Sequence, residues 1–284
     1  MTTRNFWLAF FTLFTVSPVL LGFLYALLYS VGLIGLMNDG FTLEYWTATL
    51  TTPSFWSALG YSFYISLTVM IFSISMALFM VISWYKDLQK GWLSYVVYLP
   101  LAFPGVVLAF YGMQLFSKGG FLSRLTIQLG LIEQLGQFPD LVNDSFGISI
   151  IIMLCCIVTP FFTILFSNLF QSENITELHH LARTLGAQNQ ALNWQITIPL
   201  LLRRATFNII LFFIFIMGTY EIPLLLGRQD PSMLSPLVIQ KLQKFNLADI
   251  PQAYSISVIY MLLVFTALVV LYRSQPQLFN SRRS

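Results

Sequence analysis

Few side chains in this sequence are of a kind that does chemistry, and their spacing narrows what they can do. His179 and His180 are consecutive, which sets them about 100° apart on a helix, and no Cys, Asp or Glu cluster joins them as a metal site requires. They read as solvent- or partner-facing residues. Cys155 and Cys156 are adjacent in an apolar run, where neighbours rarely bridge, and read as packing residues. Glu221 stands apart, as the one carboxylate placed within an apolar span, in the run GTYEIPLLLG at residues 218–227. Two residues on, Pro223 cannot bond the carbonyl of Thr219, so the expected helix is broken there and its backbone becomes polar. Gly218, Thr219, Tyr220, Glu221 and Pro223 then make a polar notch. One reading makes Tyr220 and Glu221 part of a solute path. The other makes this a kinked helix end, with Glu221 reaching water or pairing with Arg228. No catalytic constellation is present, so an enzyme is not expected. No G-x-x-x-x-G-K-[ST] phosphate loop occurs, so no ATP or other cofactor is expected on this chain. A net charge of +3 without a basic surface gives no support to nucleic-acid binding.

The elements that must position these residues are set by composition. With 284 residues, 57% hydrophobic and 9% charged, and a mean hydropathy of +0.77, the chain departs from soluble proteins, in which about a quarter of residues are charged. The expectation is an all-α, polytopic membrane protein. Crossing about 30 Å of hydrocarbon takes about twenty apolar residues. Six runs qualify, at 7–34, 58–84, 92–116, 147–170, 206–227 and 254–272. Lys86, Asp87 and Lys90 mark a tight turn between the second and third, and Pro100 and Pro104 predict a kink in the third. The first run is too long for a cleaved signal and is expected to stay in the bilayer.

Six spans place both termini on one side. Arg4, Lys86, Lys90, Arg183, Arg203, Arg204, Arg273, Arg282 and Arg283 fall there, against Lys118, Arg124, Arg228, Lys241 and Lys244 opposite. That nine-to-five split of the 14 basic residues predicts cytoplasmic termini in a bacterial inner membrane. Among the outer segments, 37–57 carries Tyr45, Trp46, Phe55 and Trp56 and reads as an aromatic interface belt. Segment 117–146 suits a short amphipathic helix, and 228–253 holds three prolines.

The longest polar interval with helical order is residues 174–199, NITELHHLARTLGAQNQALNWQITIP. Asn174 and Glu177 have the spacing of a reciprocal capping box. Ile175, Leu178, Leu181, Ala182 and Leu185 line one face, and Gly186 ends the helix. A second short helix is expected near 189–196, with Pro199 ending it or opening the next. Such a helix–glycine–helix hook either docks its apolar face on a partner or lies on lipid headgroups.

The hook resembles the cytoplasmic coupling loop of the membrane subunits of type I bacterial ATP-binding-cassette (ABC) importers, with the pattern E-A-A-x3-G-x9-I-x-L-P. Gly186, Ile196 and Pro199 match at that spacing, Ala182 fills the second alanine, and Ile198 replaces the leucine. His180 and Leu181 depart from it, standing where the family has glutamate and its first alanine. Residues 218–227 resemble the corresponding segment of the spermidine and putrescine group.

The resemblance implies an N-terminal span and outer loop at 1–57, a transport core at 58–273 with its coupling loop at 171–205, and a cytoplasmic tail at 274–284. It implies contact with an ATP-binding subunit, in two copies, through Leu181, Ala182, Arg183, Gly186, Ala187, Ile196 and Pro199. It also implies a second, related permease subunit and an external solute-binding protein, with a polyamine or other small, cationic solute. An ion-gradient-driven transporter and a membrane scaffold are the competing readings.

Overall fold

The computed structural model describes residues 3–36, 40–244 and 246–274, all helix and connecting turns, with no strand among them. Of the expected tail, 275–284 lies outside the described residues, as do Asp39, Arg282 and Arg283. In chain order the helices are α1 (Thr3–Ser30), α2 (Glu44–Thr51), α3 (Pro53–Lys90), α4 (Trp92–Tyr98) and α5 (Gly105–Phe116), then α6 (Phe121–Gln128) and α7 (Ile148–Ser172). There follow α8 (Ile175–Thr184), α9 (Asn189–Ala191), α10 (Ile198–Met217), α11 (Glu221–Leu226), α12 (Leu234–Gln243) and α13 (Asp249–Ser274). Among the described residues, five helices are long and apolar enough to cross a membrane, and a sixth span is available if the bent pair α4/α5–α6 counts as one.

The chain forms two compact units, one from Met1–Ala58 with Leu234–Ser284, the other Leu59–Met233. In the first, α1 and α2 pack on α13, and α12 folds back against it. The rings of Tyr29 and Tyr254 lie 4.5 Å apart. The Trp46 indole donates to Ser30 Oγ at 3.2 Å, and the buried Lys241 ammonium donates to Gln252 at 2.7 Å and pairs with Asp249 at 3.3 Å. The aromatic belt expected over 37–57 is only partly one, because Phe55 is buried while Trp56 is exposed.

The second unit is built on α3 and α7, which run side by side in the same direction. The Cys155 thiol meets the Val69 carbonyl at 3.9 Å, Thr163 meets Met80, and Phe170 meets Tyr85 at 4.3 Å. Small buried side chains on α3, Ser62, Ser66, Ser73 and Ala77, allow close approach, which is how apolar helices associate without a water-driven force. Backbone carbonyls one turn back absorb part of the polarity at this seam. Ser66 donates to the Ser62 carbonyl at 2.7 Å and Thr163 to the Thr159 carbonyl at 2.8 Å. Helix α10 returns antiparallel along α7, with Phe212 stacked on Phe161 at 4.0 Å.

Three boundaries differ from expectation. Lys86 and Asp87 continue α3 past a kink at Trp84, and the turn comes only at Gly91. The third span bends by 100° rather than kinking. Phe103, ahead of Pro104, is held extended at φ −94°, ψ 133°, so the helix must stop and restart. The fifth span ends at Met217, ten residues short of the expected 227, and α11 is a separate helix.

Candidate functional site

Two sites occupy opposite ends of α10. At one end lies the hook. Its opening is not a capping box: Asn174 sits in the left-handed region at φ 49°, without a side-chain cap bond, and its backbone carbonyl accepts from the N–H of Glu177 and Leu178 at 2.9 and 3.2 Å. Asparagine tolerates that conformation better than most residues. The close is as expected. Gly186 has φ 88°, its N–H donates to the Arg183 carbonyl, and the Ala187 N–H donates to the Ala182 carbonyl at 3.0 Å. That reciprocal pair satisfies the last carbonyls of α8 and reverses the chain.

The second arm is not an ordinary α-helix. After α9 the chain takes the wider π winding over Leu192–Thr197 and continues into α10, where Pro199 is in the first turn. Proline lacks the N–H that would bond the Gln195 carbonyl, so regular α winding is interrupted at this register. Pro199 therefore opens the next helix.

Burial divides the hook's apolar face. Ile175 is fully buried, but Leu178, Leu181 and Leu185 are 37%, 63% and 88% exposed, and Trp194 on the second arm is 66% exposed. Ala182, Ala187 and Ile196 are half-buried, while Arg183, Gly186 and Pro199 are exposed. Four large apolar side chains presented on so small a loop are a contact surface rather than a core.

His179 corrects the expectation that both histidines face outward. His180 is exposed, but His179 turns inward, its Nε2 2.8 Å from Thr197 Oγ1 and its ring edge-on to Phe170 at 6.2 Å. Burial, then the charge of Arg183, then His180 hold its pKa below the ordinary 6.5. A further tie joins the two roots of the hook, where Arg204 on α10 grips Glu173 at the end of α7. None of His179, Thr197, Glu173, Arg204 or Trp194 is marked by a local pattern, since each acts through a partner distant in sequence or through exposure.

The other site is the notch at the far end of α10. Glu221 is not inside a span but in the first turn of α11, and Pro223 sits where a missing N–H costs nothing. The carboxylate is exposed and faces the bend at Pro104–Gly105, its Oε2 3.7 Å from where a Gly105 Cβ would stand. Tyr220 is half-buried beside it, and Thr219 donates to the Phe215 carbonyl at 3.1 Å. Arg228 is engaged elsewhere, donating to Ser145 Oγ at 2.5 Å, and among the described residues Glu221 forms no ion pair. Two helix breaks thus meet around one carboxylate. Among the described residues no three His, Cys, Asp or Glu side chains converge as metal ligands.

No protein-family model matches the sequence, and no curated protein matches it. Solved structures do. One is the crystal structure of a bacterial ABC transporter involved in the import of the acidic polysaccharide alginate, 17% identical, covering 95% of this chain and 96% of that one, with a TM-score of 0.67. Another is a bacterial alginate ABC transporter in complex with an alginate pentasaccharide-bound periplasmic protein. It is 15% identical, covering 98% of this chain and 96% of that one, with a TM-score of 0.69. The all-helical fold of this chain, with its apolar spans, is that of ABC importer permeases over nearly its whole length.

Proposed function

We propose that this chain is the membrane-spanning permease subunit of an ATP-driven importer. Its hook, within 171–205, is the cytoplasmic coupling loop that docks on a separate ATP-binding subunit. The observation that carries this reading is the exposed face of Leu178, Leu181, Leu185 and Trp194 on a hook closed by Gly186, set in a fold shared with importer permeases over nearly the whole chain. Leu181, Ala182, Arg183, Gly186, Ala187, Ile196 and Pro199 make the contact, with the glycine as the turn and the apolar groups as the docking surface. The exposed leucines and Trp194 desolvate against a partner's groove, with the tryptophan, a residue type enriched among binding hot spots, as the anchor.

The partners are those that the resemblance of the hook implies. ATP is bound by the docked subunit, present in two copies. A second permease of similar fold completes the pathway, and a solute-binding protein delivers the cargo on the outer side, with the bilayer around the rest. The chain lies in the bacterial inner membrane with the hook and both termini in the cytoplasm, on the strength of the basic-residue split. Tyr220 and Glu221, between the two helix breaks, line the solute path.

The solute class is not carried by this chain. A single carboxylate does not select a polyamine, and the importers of like fold are named for an acidic polysaccharide. Selectivity rests with the delivering protein. Affinity purification from native membranes tests the assignment. The wild-type chain brings down a nucleotide-binding subunit, and Leu181→Glu with Leu185→Glu lowers its recovery about tenfold or more. A wild-type chain that brings down none overturns it.

A further inference from the structure

We infer that the hydrogen bond between His179 and Thr197 is the link through which the hook moves α10, which makes His179 a positioning residue of the coupling loop. This rests on the reading of the hook as the ATPase contact. The residues beyond His179 on α8 that carry the contact surface, Leu181 and Leu185, point away from the rest of the chain, whereas His179 and Ile175 point into it. A push delivered to α8 is passed to the π segment across its inward face, where His179 meets Thr197. Ile175 packs without direction. His179 does not: its bond to Thr197 is 2.8 Å long and its ring is braced edge-on by Phe170.

Thr197 is well placed to receive the push. It is fully buried, it is the last residue of the π segment, and Ile198 after it begins α10. Its hydroxyl also lies 3.4 Å from the Leu192 carbonyl, across the π turn. The contact to His179 Nε2, at 2.8 Å, is the shorter of the two. The imidazole thus holds the side chain that closes the π winding. From Ile198 to Met217 the helix is unbroken, 20 residues or about 30 Å, and it ends at Gly218 next to Tyr220 and Glu221. Displacement at Thr197 is delivered along this rod to the notch.

Hydrogen exchange of the assembled transporter tests the link, with and without ATP and vanadate to trap the ATPase closed. In the wild type, trapping changes exchange over residues 218–227. His179→Leu keeps the volume but not the ring nitrogen, and Thr197→Val removes the hydroxyl. Both are expected to retain the ATPase while the change at 218–227 shrinks about fivefold. His179→Gln, whose amide can donate or accept in place of Nε2, restores it. The inference is overturned if either apolar variant keeps the full change, if both lose the ATPase, if His179→Gln fails to rescue, or if trapping leaves 218–227 unchanged in the wild type. A wild-type chain that retains no ATPase instead overturns the coupling-loop reading itself.

Discussion

Arg204 holds Glu173 with two parallel bonds, Nε at 2.9 Å from one carboxylate oxygen and Nη2 at 3.0 Å from the other, although 31 residues separate them. The pair closes the base of the hook, joining the end of α7 to the beginning of α10. A planar fork is needed for this, and lysine cannot reproduce it. Because the Arg204 side chain is 51% exposed, solvent screens the pair, and we expect Arg204→Lys to cost about 0.5–1 kcal/mol. Thermal unfolding in detergent should show a lower midpoint for the variant, with the gap narrowing in high salt.

Gly186 should be replaceable on steric grounds but not on backbone grounds. Nothing stands within 4 Å of its missing Cβ, yet φ is 88°. Gly186→Val is therefore expected to cost about 1–2 kcal/mol of hook stability, with Gly186→Asn milder. Limited proteolysis over 184–190 reports it as faster cleavage of the valine variant.

Ile175 and Leu181, both assigned to the apolar face from their spacing, should behave oppositely. Ile175 is fully buried, so Ile175→Ala is expected to destabilise the chain by about 2–5 kcal/mol. Leu181 is 63% exposed, so Leu181→Ala leaves the melting temperature unchanged and weakens ATPase recovery. Melting and pull-down on the two variants give the crossed pattern.

Acid should loosen the hook through His179. Its pKa is lowered on folding, first by burial, then by Arg183 and His180 on its own helix, while α7 presents Phe170 and the π segment Thr197. The unfolded hook takes the proton first, so this contribution is complete above the ordinary value of 6.5 and is lost as pH falls through it toward the lower folded value. Hydrogen exchange over 175–185, corrected for intrinsic rates, should quicken between about pH 8 and about pH 5 in the wild type and not in His179→Gln.

What was legible in the sequence follows the range of the forces. The apolar runs, the glycine turn at Gly186 and the helix start at Pro199 are local rules, and the structure keeps them. The 100° size of the third span's bend is not local: Pro100 and Pro104 announce a break, but nothing in their spacing fixes its angle. Asn174 and Glu177 have capping-box spacing, yet the chain arriving from α7 puts Asn174 into the left-handed region and the backbone carbonyl does the capping. Glu221 looked buried in a span because the apolar run continues to 226, but Gly218 and Thr219 stop α10 first. His179 and Thr197 lie 18 positions apart, and only the hook's closure brings them together.

On the proposed reading, an ATP-hydrolysing subunit covers the exposed leucine face of the hook. A photoreactive amino acid in place of Leu185, 88% exposed, tests it most directly when irradiated in native membranes and the adducts are identified by mass spectrometry. The account predicts an adduct with a nucleotide-binding subunit, diminished by Leu181→Glu. An adduct confined to lipid would contradict it.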